Sequence, residues 1–200
     1  VLEDIDAAHL TQLHITAAES IERLYGEEIG AVRLAYHWAE AGNLPKEAHY
    51  KAIAAKTSFD SSAFAEAAEY LERLFELQVQ PDIDFDDLTR AVYRRMLGSC
   101  YMELGHIPKA LDNLTAAIGE VRKPVPRGKG MQVIQLAGEI FLQAWHRLRL
   151  PKQLDASHPD YAGLVQAALS MNQIGEVALT YAPEQILSLY ASMRGLNISE

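Results

Sequence analysis

The chain has 200 residues, 49% of them hydrophobic and 22% charged, with a formal net charge of −9. That is enough apolar material for one sizeable core or for a row of stacked helix pairs, and the acidic balance argues against a general binder of nucleic acid or anionic membrane, which needs a basic face. One cysteine, Cys100, excludes an internal disulfide and fits a reducing compartment, no apolar run approaches a membrane span, and the acidic start VLEDIDAAHL is unlike a signal peptide. The expectation is a cytoplasmic protein; the missing initial Met and the helical pattern at its end read as a piece of a longer chain.

From Asp4 to Leu24, the apolar residues Leu10, Leu13, Ala17, Ile21 and Leu24 recur at three- and four-residue intervals, which predicts an amphipathic helix stopped near Gly26. A second helix is expected from Glu27 to Ala41, then the turn Gly42-Asn43-Leu44-Pro45-Lys46. Two more helices, Lys46 to Phe59 and Ala63 to Leu77, are joined by Asp60-Ser61-Ser62, read as an N-cap cluster. A break follows from Val79 to Asp87, with Pro81 and several aspartates, before a helix from Asp87 to Leu104 whose acidic start suits its dipole.

Arg94 to Arg122 reads as a helix, a tight turn and a second helix. Leu97, Gly98, Tyr101, Leu104 and Gly105 lie on the first, and Ala110, Leu114 and Ala117 on the second. Small residues at Gly98, Ala110 and Ala117 let two helices approach, Tyr101 fills the groove between them, and Gly105 ends the first helix with a left-handed residue. Pro108 opens the second helix, where a missing N–H costs nothing. This spacing resembles a tetratricopeptide unit, with Arg94 where the usual Trp would stand. The turn Gly105-His106-Ile107-Pro108-Lys109 repeats the one at Gly42, 63 positions earlier, close to twice the repeat period of about 34.

A basic, proline-rich loop is expected at 122–130, carrying Arg122, Lys123, Arg127 and Lys129. After it comes a helix from Met131 to Leu150 with Val133, Ile134, Ala137, Phe141, Ala144, Trp145 and Leu148 on one side. Pro151 stops it. Pro159 opens a helix to about Tyr181 and Pro183 a last one to about Ile198. On that last helix Ile186, Leu189, Tyr190 and Met193 form one apolar stripe, while Leu187, Ala191 and Ile198 lie on another side, so something is expected to pack on both. With no alternation of apolar and polar residues, the predicted fold is all-α, a single TPR-like α-solenoid over 1–200 with about nine helices.

Reactive chemistry finds little footing. Asp82-Ile83-Asp84-Phe85-Asp86-Asp87 opens like a calcium loop, but Asp87 and Tyr93 stand where Gly and Glu are required, so an acidic helix cap is expected. Gly128-Lys129-Gly130 is followed by Met131 and preceded by no strand, which removes a phosphate loop. His9 and His14 are not helical neighbours, and His37 beside Trp38 and His146 beside Trp145 read as packed residues. Cys100 reads as a buried structural thiol. No catalytic residue, metal or cofactor is assigned. Arg94, Arg95, Arg122, Lys123, Arg127 and Lys129 are either solvated surface or a docking spot for an acidic or phosphorylated segment, which guanidinium groups hold bidentately.

Several phrases together resemble the tetratricopeptide-like C-terminal helical region of bacterial predicted ATPases of the AAA/STAND kind, often fused to nucleotide cyclase or protein kinase domains. They are His37-Trp38-Ala39-Glu40-Ala41-Gly42, the central repeat, Lys123-Pro124-Val125-Pro126-Arg127, and Leu189-Tyr190-Ala191-Ser192-Met193-Arg194-Gly195-Leu196-Asn197. The resemblance implies a non-catalytic regulatory arm that works by protein contacts, binding a protein or peptide segment or other domains of its own chain. Two alternatives stay open: a module holding a small molecule beside Trp38, Tyr101 and Trp145, and a structural dimerisation piece using Ile186, Leu189, Tyr190 and Met193.

Overall fold

Helix α1 (Ala7–Glu40) holds both of the first two predicted segments, bent back at Gly26, whose φ of 71° and ψ of 179° interrupt it. Its two arms fold onto each other, with Ile21 filling the space where Gly30 lacks a side chain. The computed structural model describes residues 6–122, 124–126, 128–148, 158–181 and 184–199. Seven further helices follow: α2 (Leu44–Asp60), α3 (Phe64–Leu77), α4 (Asp87–Glu103), α5 (Ile107–Val121), α6 (Lys129–Leu148), α7 (Tyr161–Thr180) and α8 (Gln185–Ser199). The fold is all-α. Nine helices were expected; eight are counted among the described residues when α1 is taken as one element, although its backbone at Gly26 is non-helical and separates two helical arms there, as the sequence predicted near Gly26. The predicted ends at Leu150 and Pro151, and the helix start at Pro183, lie outside the described residues.

The chain divides into two compact units, Val1–Asp84 and Phe85–Glu200. In the first, Ala18, Leu34, Ala35, Trp38 and Tyr50 form a core between α1 and α2, with Ile15, Ile21 and Ile53 against it. Glu22 ties this core together: one carboxylate oxygen accepts from Trp38 Nε1 at 3.1 Å, Lys46 Nζ at 3.2 Å and the Tyr50 hydroxyl at 2.7 Å. Between α2 and α3, the buried Glu47 carboxylate accepts from Arg73 Nε at 2.8 Å and Nη2 at 3.4 Å.

Both glycine turns form as expected. Gly42 and Gly105 have φ of 71° and 76°, and the residue after each donates back five positions, Asn43 to the Trp38 carbonyl and His106 to the Tyr101 carbonyl, a Schellman closure that satisfies carbonyls left over at a helix end. The α2–α3 junction makes the same closure without glycine. Ser62 is left-handed at φ 62°, and Ala63 donates to the Ser58 carbonyl at 2.8 Å. This corrects the reading of Asp60-Ser61-Ser62 as an N-cap cluster. The capping position of α3 is Ala63, with no side-chain bond, whereas Ser61 reaches back to the Thr57 carbonyl.

In the second unit α4 and α5 form the expected antiparallel hairpin. Arg90 Nε meets Glu120 at 2.8 Å near one end, Gly98 lies against Leu114 in the middle, and Lys109 stands over the Tyr101 ring at 4.8 Å near the turn. Helix α7 joins this hairpin, and α8 packs along α7 where Gly175 leaves room for Ser188, Ala191 and Ser192. Leu114, Ile118, Val125, Met171, Ile174, Leu187, Tyr190 and Ala191 make the core. Helix α6 meets α8 through polar contacts and through Leu136, which packs on the core: Gln135 accepts from the Tyr190 hydroxyl at 2.8 Å, and Asn197 donates to the Glu139 carbonyl at 2.9 Å and carboxylate at 2.7 Å.

Candidate functional site

The four described members of the expected basic spot divide into two half-buried arginines and two exposed cations. Arg94 is half-buried and donates to Asn113 on α5 at 3.2 Å, and Arg95 donates to Gln166 on α7 at 2.7 Å. Burial lowers the Arg95 guanidinium from its ordinary value. These two arginines therefore join helices. Arg122 and Lys129 are exposed at the end of α5 and the start of α6, while Lys123 and Arg127 lie outside the described residues.

The predicted stripe on α8 divides as well. Tyr190 is fully buried, Leu189 is 57% exposed, and Ile186 and Met193 are half-buried. Tyr190 faces inward because α8 lies between α7 and α6, each of which claims a strip of it; Arg194 donates to the same hydroxyl.

The aromatic groove beside Trp38, Tyr101 and Trp145 is not assembled within either unit, since Trp38 belongs to the first and the other two to the second. Trp38 and Tyr101 are buried core residues and Trp145 is exposed. The acidic stretch acts as a cap: Asp86 accepts from the Thr89 backbone N–H at 2.7 Å, and the Thr89 side chain first, then this backbone bond, hold its carboxyl below the usual range. Cys100 is buried, and burial pushes its thiol up to about 11. Among the described residues no group of three or more His, Cys, Asp or Glu is placed to hold a metal ion.

The surface that stands out is α6. A helix of a globular protein ordinarily turns its apolar stripe inward. On α6 the buried side chains are Gln132 and Gln143, while Met131, Val133, Ile134, Ile140, Phe141, Leu142, Trp145 and Leu148 are exposed. Met131, Ile134, Gly138, Phe141, Trp145 and Leu148 recur at alternating intervals of three and four, the heptad spacing of a helix that faces another helix. The sequence showed this apolar side. It could not show that the neighbour inside the unit takes the polar side instead.

Beside α6 runs a groove of about 540 Å³ between α5, residues 124–126 and the start of α8, bordered by Asp112, Thr115, Val125, Gln132, Glu184 and Leu187. No described helix is long and apolar enough to cross a membrane. No protein-family model, no curated protein and no solved structure matches this chain. The class that fold and surface define is an all-α protein with an outward apolar helix face.

Proposed function

We propose that this chain is a non-catalytic protein–protein interaction module, its helix pairs stacked as a TPR-like α-solenoid, that serves as a regulatory arm of a multidomain signalling ATPase. The observation that carries the interaction reading is the outward apolar face of α6. Exposed apolar area of this extent gains free energy when a partner covers it. Interhelical ion pairs, Glu47 with Arg73 and Arg90 with Glu120, each join one helix to the next, as in stacked helix pairs. The link to AAA/STAND ATPases rests on the sequence phrases, and the cytoplasmic setting on the single cysteine.

The test is made in the longer polypeptide. Phe141→Glu is introduced there, and the activity and its response to effectors are compared with the parent, alongside capture of the remaining domains by the isolated chain. Altered regulation or capture supports the module; unchanged regulation together with no capture overturns it. A second reading, a small-molecule sensor, is favoured by the groove between α5 and α8, and predicts a ligand-dependent rise in melting temperature that is lost in Thr115→Trp.

A further inference from the structure

The outward stripe of α6 is complementary to itself. Placed antiparallel against a copy of the same helix, with the two-fold axis passing between Gly138 and Phe141, the heptad positions pair Met131 with Leu148, Ile134 with Trp145, and Gly138 with Phe141, each pair occurring twice. The central pair sets the bulkiest exposed apolar knob near the axis against the one position with no side chain. A Cβ at Gly138 would meet nothing within 4 Å, so that hole is open in the single chain. Phe141 is 72% exposed and Ile134 66%.

The electrostatics favour like meeting like. Between Gly130 and Leu148, the stripe and the positions flanking it, Gly130, Gln135, Ala137, Leu142 and Ala144, carry no charge, so over this span two copies bring no like charges together. Antiparallel packing also opposes the two helix dipoles favourably. Complete covering of Met131, Ile134, Phe141, Trp145 and Leu148 sets an upper limit of roughly 700 Å² from each copy, about 1,400 Å² for the pair, which reaches the range of a stable specific interface.

The geometry points to a homodimer in which α6 packs antiparallel on the α6 of a second copy of this chain. This deepens the interaction reading by naming the partner of that face, and it moves self-association from the expected α8 stripe to α6.

Light-scattering mass of the whole 200-residue chain is measured from about 1 to 200 µM, for the parent, for Phe141→Glu and for Leu189→Glu on α8. The expected result is a concentration-dependent dimer, a dissociation constant raised about 100-fold or more by Phe141→Glu, and less than about a two-fold change with Leu189→Glu. Circular dichroism of the variants should match the parent, since the substituted side chains face water in the monomer. A second arm uses no charge. Chains carrying Ile134→Cys and Trp145→Cys, mixed under mild oxidation, should form a mixed disulfide, and neither should cross-link by itself; buried Cys100 does not compete.

A monomer at every concentration overturns the dimer, as does one that survives Phe141→Glu, or cross-linking of either chain alone. The two readings fail separately. A monomeric chain whose Phe141→Glu variant still disturbs regulation in the longer polypeptide overturns self-pairing and leaves the module standing. A dimer with no regulatory consequence does the reverse.

Discussion

A methyl group added at Gly98 would stand 2.8 Å from Leu114 Cγ and 3.2 Å from the Ala110 carbonyl oxygen. The crossing of α4 and α5 is thus set by the absence of one side chain, and the nearest atoms are a branch point and backbone. Gly98→Ala should lose about 1–3 kcal/mol to overpacking, partly offset by the about 1 kcal/mol that alanine gains as a helix former. Gly119→Ala on α5, where a Cβ meets nothing within 4 Å, should gain stability. Urea unfolding of the pair separates crowding from propensity.

Ser62 holds a left-handed backbone that favours glycine, with φ of 62°. Ser62→Gly should raise stability by roughly 0.5–1 kcal/mol, and Ser62→Val should lower it further than its exposed position suggests. Melting temperatures of the two variants would read this, and a lower value for the glycine variant would mean that the strain is carried elsewhere.

Glu47 is 1% exposed and its carboxylate is satisfied by Arg73, whose own side chain reaches water. Removing the two partners is therefore unequal. Arg73→Ala leaves a buried carboxylate without its cation and should cost about 3 kcal/mol, more than Glu47→Gln, and a double-mutant cycle should show coupling of about 1 kcal/mol or more.

His14 Nδ1 lies 3.1 Å from His37 Nδ1 across the two arms of α1, with the Tyr36 ring edge-on to both. That contact needs one nitrogen to donate and the other to accept, so two imidazolium ions do not fit. Burial, and then the neighbouring His14, lower the His37 pKa. A lowered histidine pKa means the unfolded chain binds more protons. Stability contributed by this pair is present above the ordinary value of 6.5 and is lost as pH falls through and below it. Melting temperature against pH should fall on the acid side of 6.5, and His14→Gln should flatten that fall; an unchanged slope would remove the pair from the account.

The features legible in the sequence were those with local causes. Gly42 and Gly105 announced left-handed turns, and Gly98 with Ala110 announced a close crossing, because in each case the residue type alone permits the geometry. Ser62 gave no such sign, since serine adopts that backbone only when the closure around it compensates. The fate of Arg94, Arg95 and Tyr190 depended on which helices lie opposite, and sequence spacing along one helix carries no information about its neighbours. The same reason hid the sense of α6: periodicity located its apolar stripe but left open whether that stripe turns in or out.

The bend at Gly26 joins two antiparallel rods through one residue. No slack segment separates them, so an insertion or deletion on either side would rotate one arm about its axis by roughly 100° per residue and carry Trp38 away from Glu22. The hinge thus fixes the phase of the first core, so a change in length at this junction disturbs that core directly.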